Sequence, residues 1–277
     1  MIFDGSTSVA FDIRSRVKQG CLLAPTLFGI FFAVFLKYAF GISIEGIYLS
    51  TRSDGKLFNL ARLKAITKTQ LNILRDILFA DDAAVEALLA EELQKLMRRF
   101  SAACKHFGLK KTHVIGQGVP DPPVIAISNH QLEVVHDFVY LGSTISDTLS
   151  LDTELNRKID KASTTMCSLT KRVWKNGKLA ENTKIQVYSA CVLSTPRYGS
   201  ESWVLRARHE HKLNTYHLPN LRRILNIAWQ GKVHNAEVLE RADLPSMYSL
   251  LKQGRLRWLG HVCRMEEGRI PKDILYG

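Results

Sequence analysis

The sequence predicts an α+β fold in two parts: an antiparallel sheet with packed helices over residues 1–148, then a mostly helical region over residues 149–277. Three observations predict it. Up to about residue 150, short alternating apolar runs bounded by turn residues are interleaved with two helical stretches. Beyond that point apolar residues recur at spacings of three and four, with few strand signals. The charge divides at the same place: residues 1–150 carry 16 Lys and Arg against 14 Asp and Glu, and residues 151–277 carry 22 against 12. The whole chain has 277 residues, 46% of them apolar and 23% charged, which is the balance of a globular protein able to bury a sizeable core.

Taken in order, residues 19–36 carry no charge and are bracketed by Lys18 and Lys37. That is near the minimum for a membrane span, but Gly20 and Pro25 interrupt its front. A helix opened by Pro25 leaves "PTLFGIFFAVFL", too short to cross, so the stretch reads as a fully buried core helix over about 24–39 with proline in its first turn. Next, "ISIEGIYLS" and "KLFNL" flank "SDG" and read as a β-hairpin, followed by a Lys-rich link over 61–70. "DILFADDAAV" (76–85) reads as strand, turn and strand around "ADD", and residues 89–107 as an amphipathic helix ended by Gly108. "GQGVPDPP" is loop, and short strands follow over 124–127, 131–135 and 138–141, the last running into "YLGSTIS". Helices are predicted over 151–174, 180–193, 209–228, 234–241 and 246–260.

A net charge of +12, concentrated in the second half, points to an anionic partner, nucleic acid before an acidic membrane surface. Five scattered cysteines with no CxxC pair fit a reducing intracellular compartment, and the mixed, polar first twenty residues carry no secretory signal. His209, His211 and His217 lack a cysteine or carboxylate at ligand spacing and read as surface histidines rather than a metal site. His261 and Cys263, two apart with no second pair nearby, do not make a zinc knuckle. Trp203, Trp229 and Trp258 read as core anchors in preference to base-stacking rings. In "LRRILNIAWQGK" (221–232), Arg222, Arg223 and Lys232 read equally as phosphate contacts or as a solvated face.

The doublet Asp81–Asp82 is the sharpest chemical signal. Two adjacent carboxylates at one turn repel and do little for stability, but hard oxygen ligands on a rigid hairpin are how magnesium is held for phosphoryl transfer. An acidic, solvated turn is the bland alternative. The doublet belongs to an ordered set: "RVKQGCLLAPTLFGIFF" (Arg16 to Phe32), "FADD" (Phe79–Asp82), "FGL" (Phe107–Leu109), "KT" (Lys111–Thr112) and "YLG" (Tyr140–Gly142). This order resembles the palm of reverse transcriptases of the non-LTR (LINE-type) retrotransposons, and residues 197–227 and 255–277 resemble the helical segment that follows it there. "FADD" says little alone; the ordered set is specific.

The resemblance implies a partial polymerase palm followed by a thumb-like helical region. It makes Asp81 a magnesium ligand with Asp82 beside it, and sets Gln19 and Gly20 against the incoming nucleotide and templating base. Lys111 would lie near the departing pyrophosphate, and Tyr140, Leu141 and Gly142 would grip the primer end. The implied partners are an RNA template, a DNA primer and deoxynucleotides, with no membrane span. Two departures stand out. The family carries another catalytic carboxylate on a strand some fifty residues ahead of the "QGC" loop, whereas 18 residues precede Gln19 here. Neither Asp4 nor Asp12 ("VAFD") has the chain length to replace it, and residues 1–13 read as the remnant of a connecting hairpin. Lys110 also follows Leu109 directly, where the family has several residues before "KT". The expectation is a 5′-truncated reverse-transcriptase fragment, inactive as an isolated chain. A non-enzymatic nucleic-acid binder and a non-functional pseudogene product are the rivals.

Overall fold

The computed structural model describes residues 2–3, 6–7, 23–41, 46–52, 69–74, 76–79, 82–107, 113–119, 121, 123–127 and 130–276. The first helix, α1 (Ala24–Phe40), has Pro25 in its opening turn, where the missing N–H costs no hydrogen bond. It packs on α2 (Ala90–Phe107) through Phe35, Ala39 and Phe40, against Leu96 and Ala103. The Phe35 and Phe100 rings meet edge to face at 5.3 Å. The expectation of a fully buried helix does not hold. Among the described residues α1 packs mainly against α2, which covers one stripe and leaves Leu27 48% and Ile30 58% exposed.

The strands form six two-stranded ladders among the described residues, five of them antiparallel. A short hairpin of β1 (Ile2–Phe3) and β2 (Ser6–Thr7) lies within the first thirteen residues, where a connecting hairpin was expected. β3 (Ile47–Arg52) pairs with β4 (Thr69–Leu74), so its partner begins inside the segment read as a polar link. The Asn72 amide donates to the Thr51 hydroxyl at 3.0 Å across that ladder. The segment 56–60, read as its partner, lies outside the described residues. β5 (Asp76–Phe79) and β6 (Asp82–Val85) form the expected hairpin, closing on the pair Phe79 and Asp82.

After α2 come β7 (His113–Val114), β8 (Ala126–Ile127), β9 (His130–Gln131) and β10 (Glu133–Val134), with β7 parallel to β10. Gln94 on α2 fastens this region by exchanging two hydrogen bonds with the Ala126 backbone, at 2.8 and 2.9 Å. β11 (Asp137–Tyr140) and β12 (Ser143–Ser146) then form a hairpin whose turn is Leu141–Gly142.

From α3 (Asp152–Ser168) onward the chain is helical: α4 (Glu181–Val187), α5 (Ser194–Arg197), α6 (Ala207–Ile224), α7 (Asn235–Arg241), α8 (Met247–Cys263) and α9 (Ile270–Tyr276). Leu155, Ala162 and Met166 recur on one face of α3 and meet Tyr188, Leu193, Leu213, Leu221, Ile224, Met247 and Leu251 in one core. Each leucine, isoleucine and methionine among them contributes roughly 1.5–3 kcal/mol by leaving water. The helix predicted over 151–174 changes character at Leu169, after which the backbone winds in wider i to i−5 bonds over Thr170–Trp174. The Trp174 indole N–H donates to the Met166 carbonyl at 2.7 Å, which holds that wide turn inward. No described helix is long and apolar enough to cross a membrane.

Candidate functional site

The β5–β6 hairpin and the β11–β12 turn are brought together by one bond: the Tyr140 hydroxyl donates to the Ile77 carbonyl at 2.8 Å. Strand alternation puts Asp82, Ala84 and Glu86 on the same side of β6 and its continuation. Burial first, and then the negative charges of Asp82 and Glu86, push the Tyr140 phenol above its ordinary range. Burial also raises the Glu86 carboxyl. Glu86 was missed by sequence reasoning, although its spacing of four from Asp82 in a strand context is a usable signal.

The turn itself is strained. Leu141 has φ 48° and Gly142 φ 77°, the two left-handed positions of a type I′ hairpin turn. Glycine takes this geometry freely, whereas leucine there costs roughly 1–2 kcal/mol. The helical region holds the turn from three sides. The Tyr198 hydroxyl donates to the Leu141 carbonyl at 3.2 Å, and a Cβ on Gly142 would stand 3.1 Å from the Tyr198 ring. Gly199, at φ 71°, lies so near β12 that a Cβ there would approach the Ser143 hydroxyl to 2.9 Å.

The third hold is Glu154, in the first turn of α3. Its carboxylate is 4% exposed and accepts from the Thr144 backbone N–H at 2.7 Å. The Lys158 ammonium lies 3.7 Å from the other oxygen and 4.7 Å over the Tyr198 ring. Burial lowers the Lys158 pKa, with the Glu154 charge acting in the opposite direction. Arg157 pairs with Asp137 at 2.6 Å and extends the same seam. Glu154 was also missed, because an acidic residue in a helix's first turn reads as ordinary dipole compensation.

Other candidate residues are dispersed. Asp81, Gln19, Gly20 and Lys111 lie outside the described residues. Arg222 is occupied structurally, donating to the Val233 carbonyl at 2.7 Å and to the Asn235 side chain at 2.9 Å, along an open groove of about 530 Å³. Arg223 is exposed and donates to the Thr170 hydroxyl at 3.2 Å, and Lys232 is exposed in a left-handed backbone position. His209 is buried and pairs with Asp152 at 3.2 Å, and His217 is buried against Tyr188, contrary to their reading as surface residues. Cys263 accepts from the Tyr276 hydroxyl at 3.4 Å, and His261 packs on Trp258. Trp203 is buried as expected, Trp258 is 44% exposed, and the Trp229 side chain lies outside the described set.

Among the described residues no three His, Cys, Asp or Glu side chains gather as a metal ion would require. The described part of the hairpin offers the Asp82 carboxylate with Glu86 on the same side, which falls short of a magnesium ligand set.

No family model and no solved structure matches the chain. It is 24% identical over 217 residues to an uncharacterized transposon-derived protein of Caenorhabditis elegans, covering 71% of this chain and 74% of that protein. It is 22% identical over 237 residues to the RNA-directed DNA polymerase from the mobile element jockey of Drosophila funebris. That match covers 84% of this chain and 24% of the polymerase, so the chain spans about a quarter of its length. The two similarities point to a retrotransposon-related origin.

Proposed function

We propose that the chain is a reverse-transcriptase-like segment of LINE type from a retrotransposon, with residues 76–85 and 137–146 as palm elements and the basic helices as a thumb-like region. We infer further that this chain is inactive as a polymerase, which primer extension tests. The observation that carries the reading is the 2.8 Å bond from Tyr140 to the Ile77 carbonyl, which sets the "YLG" turn against the "ADD" hairpin across 63 residues of sequence. A palm needs that juxtaposition if one element is to hold a primer end near the other. Asp81 would then be a magnesium ligand, and bound magnesium would stabilise the charge that develops on transferring phosphates. The described donors do not complete such a site, and no catalytic step is assigned to it. Gln19, Gly20 and Lys111 keep their proposed places at the nucleotide.

The test is extension of a primed RNA template by the purified chain with magnesium and deoxynucleotides. No extension is expected, and extension that disappears in Asp81→Ala overturns the inactive reading.

A second reading, a non-enzymatic nucleic-acid binder, is favoured by one observation: the core formed by residues 151–251 lies within the half that carries the excess of Lys and Arg. It expects salt-sensitive binding of RNA or DNA that Asp81→Ala leaves unchanged.

A further inference from the structure

The basic half carries an aromatic ring that the core does not use. α8 buries Met247, Leu250 and Leu251 in its first half, but from Leu256 to Leu259 four successive residues are exposed. A helix lying flat on a core hides one side of every turn, so four exposed residues in a row mark a stretch that projects from the core, before Val262 is buried again one turn later. Trp258 is 44% exposed there, flanked by Leu256 and Leu259 at 59% and 41%. The ring is braced by His261, with centroids 5.4 Å apart and planes at 42°. Lys252, Arg257 and Arg264 are exposed along the same stretch of chain, and no acidic residue occurs between Asp243 and Glu266. A solvated surface helix does not require a tryptophan, and an apolar docking face does not require several cations with no acidic residue among them. A strand of unpaired bases on a phosphate backbone fits both features: bases stack on the indole while the cations meet the phosphates.

We propose that the exposed stretch Leu256–Leu259 of α8, with Trp258 as its stacking ring and Lys252 before it, Arg257 within it and Arg264 after it as phosphate contacts, binds single-stranded nucleic acid. The surface rests on the nucleic-acid reading above but not on polymerase chemistry, and it uses residues other than Arg222, Arg223 and Lys232.

Fluorescence anisotropy of short labelled oligo(dT) and oligo(U) with the full chain tests it. Trp258→Ala is expected to weaken binding roughly tenfold, and Trp258→Phe to restore most of it, because the phenyl ring still stacks. Arg257→Gln with Arg264→Gln is expected to reduce the dependence of log affinity on log salt by roughly 1–2. Unchanged circular dichroism in each variant assigns the losses to the surface. Oligonucleotide binding that is indifferent to Trp258→Ala overturns this surface and leaves the broader nucleic-acid reading standing. A folded chain that binds no oligonucleotide overturns both. A dimer that Trp258→Ala dissociates, with oligonucleotide affinity unaltered, assigns the face to self-association instead. Primer extension tests the polymerase reading independently of all these outcomes.

Discussion

The Tyr140 hydroxyl and the Ile77 carbonyl, 63 residues apart in sequence, meet at 2.8 Å and join two hairpins that share no ladder. Tyr140→Phe removes this bond while keeping the ring. Stability in urea is expected to fall by about 0.5–1.5 kcal/mol. Since the Asp82 charge helps to hold the phenol up, Asp82→Asn is expected to lower the Tyr140 titration midpoint, read by carbon-13 NMR at the ring.

Glu154 and Lys158 form a buried charge pair, with side chains 4% and 6% exposed. Removing one partner strands the other in a low dielectric, so Glu154→Ala is expected to cost about 3–5 kcal/mol. The double variant Glu154→Leu with Lys158→Met removes both charges and is expected to recover part of the loss, the Thr144 N–H being left without its acceptor. Equal losses in the single and double variants would refute a role for the pair as a unit.

Burial lowers the His217 pKa to about 4 from the ordinary 6.5. The unfolded chain therefore binds a proton between pH 6.5 and 4 that the folded chain refuses, and stability falls as pH drops through that window. The loss is expected to approach about 3 kcal/mol at its foot, measured by denaturation at stepped pH. His217→Gln is expected to be less stable at neutral pH, having lost its stacking on Tyr188, and to show a flatter slope.

The Leu141–Gly142 turn offers a change of opposite sign. Asparagine adopts left-handed backbone more easily than leucine and is favoured in type I′ turns, so Leu141→Asn is expected to raise stability by about 1 kcal/mol. Gly142→Ala meets both the Tyr198 ring at 3.1 Å and φ 77°, and is expected to lower it by roughly 1–2 kcal/mol. Thermal melts of the two variants should move in opposite directions.

Much of the helical half was legible, because the core residues of α3, α6 and α8 repeat at helical spacing and every predicted helix starts within two residues of an observed one, whereas α5 and α9 were not predicted. The break at Leu169 was not, since it depends on the Trp174 indole reaching back to Met166. The partner of β3 was misplaced because "SDG" is a strong local turn signal, while the pairing from Ile47↔Leu74 to Arg52↔Thr69 closes over a long excursion that local sequence does not encode. The "ADD" hairpin and "YLG" turn were read correctly as elements. Their union was not, because one hydroxyl-to-carbonyl bond leaves no periodic trace. Glu86 and Glu154 escaped notice for a similar reason: their importance lies in what surrounds them in space.

The hold of Glu154 on Thr144 has a mechanical consequence. A hinge needs a seam that opens at low cost, and here the seam between hairpin and helices is closed by a buried carboxylate, the Arg157–Asp137 pair and the Tyr198 hydroxyl. Leu149, 70% exposed at φ 56°, sits on the cord that crosses this seam. Cutting the cord there with a protease is expected to leave both pieces travelling as one particle in gel filtration. The joint is built as a riveted plate rather than a hinge, with its fastenings spread over both hairpin strands and the turn.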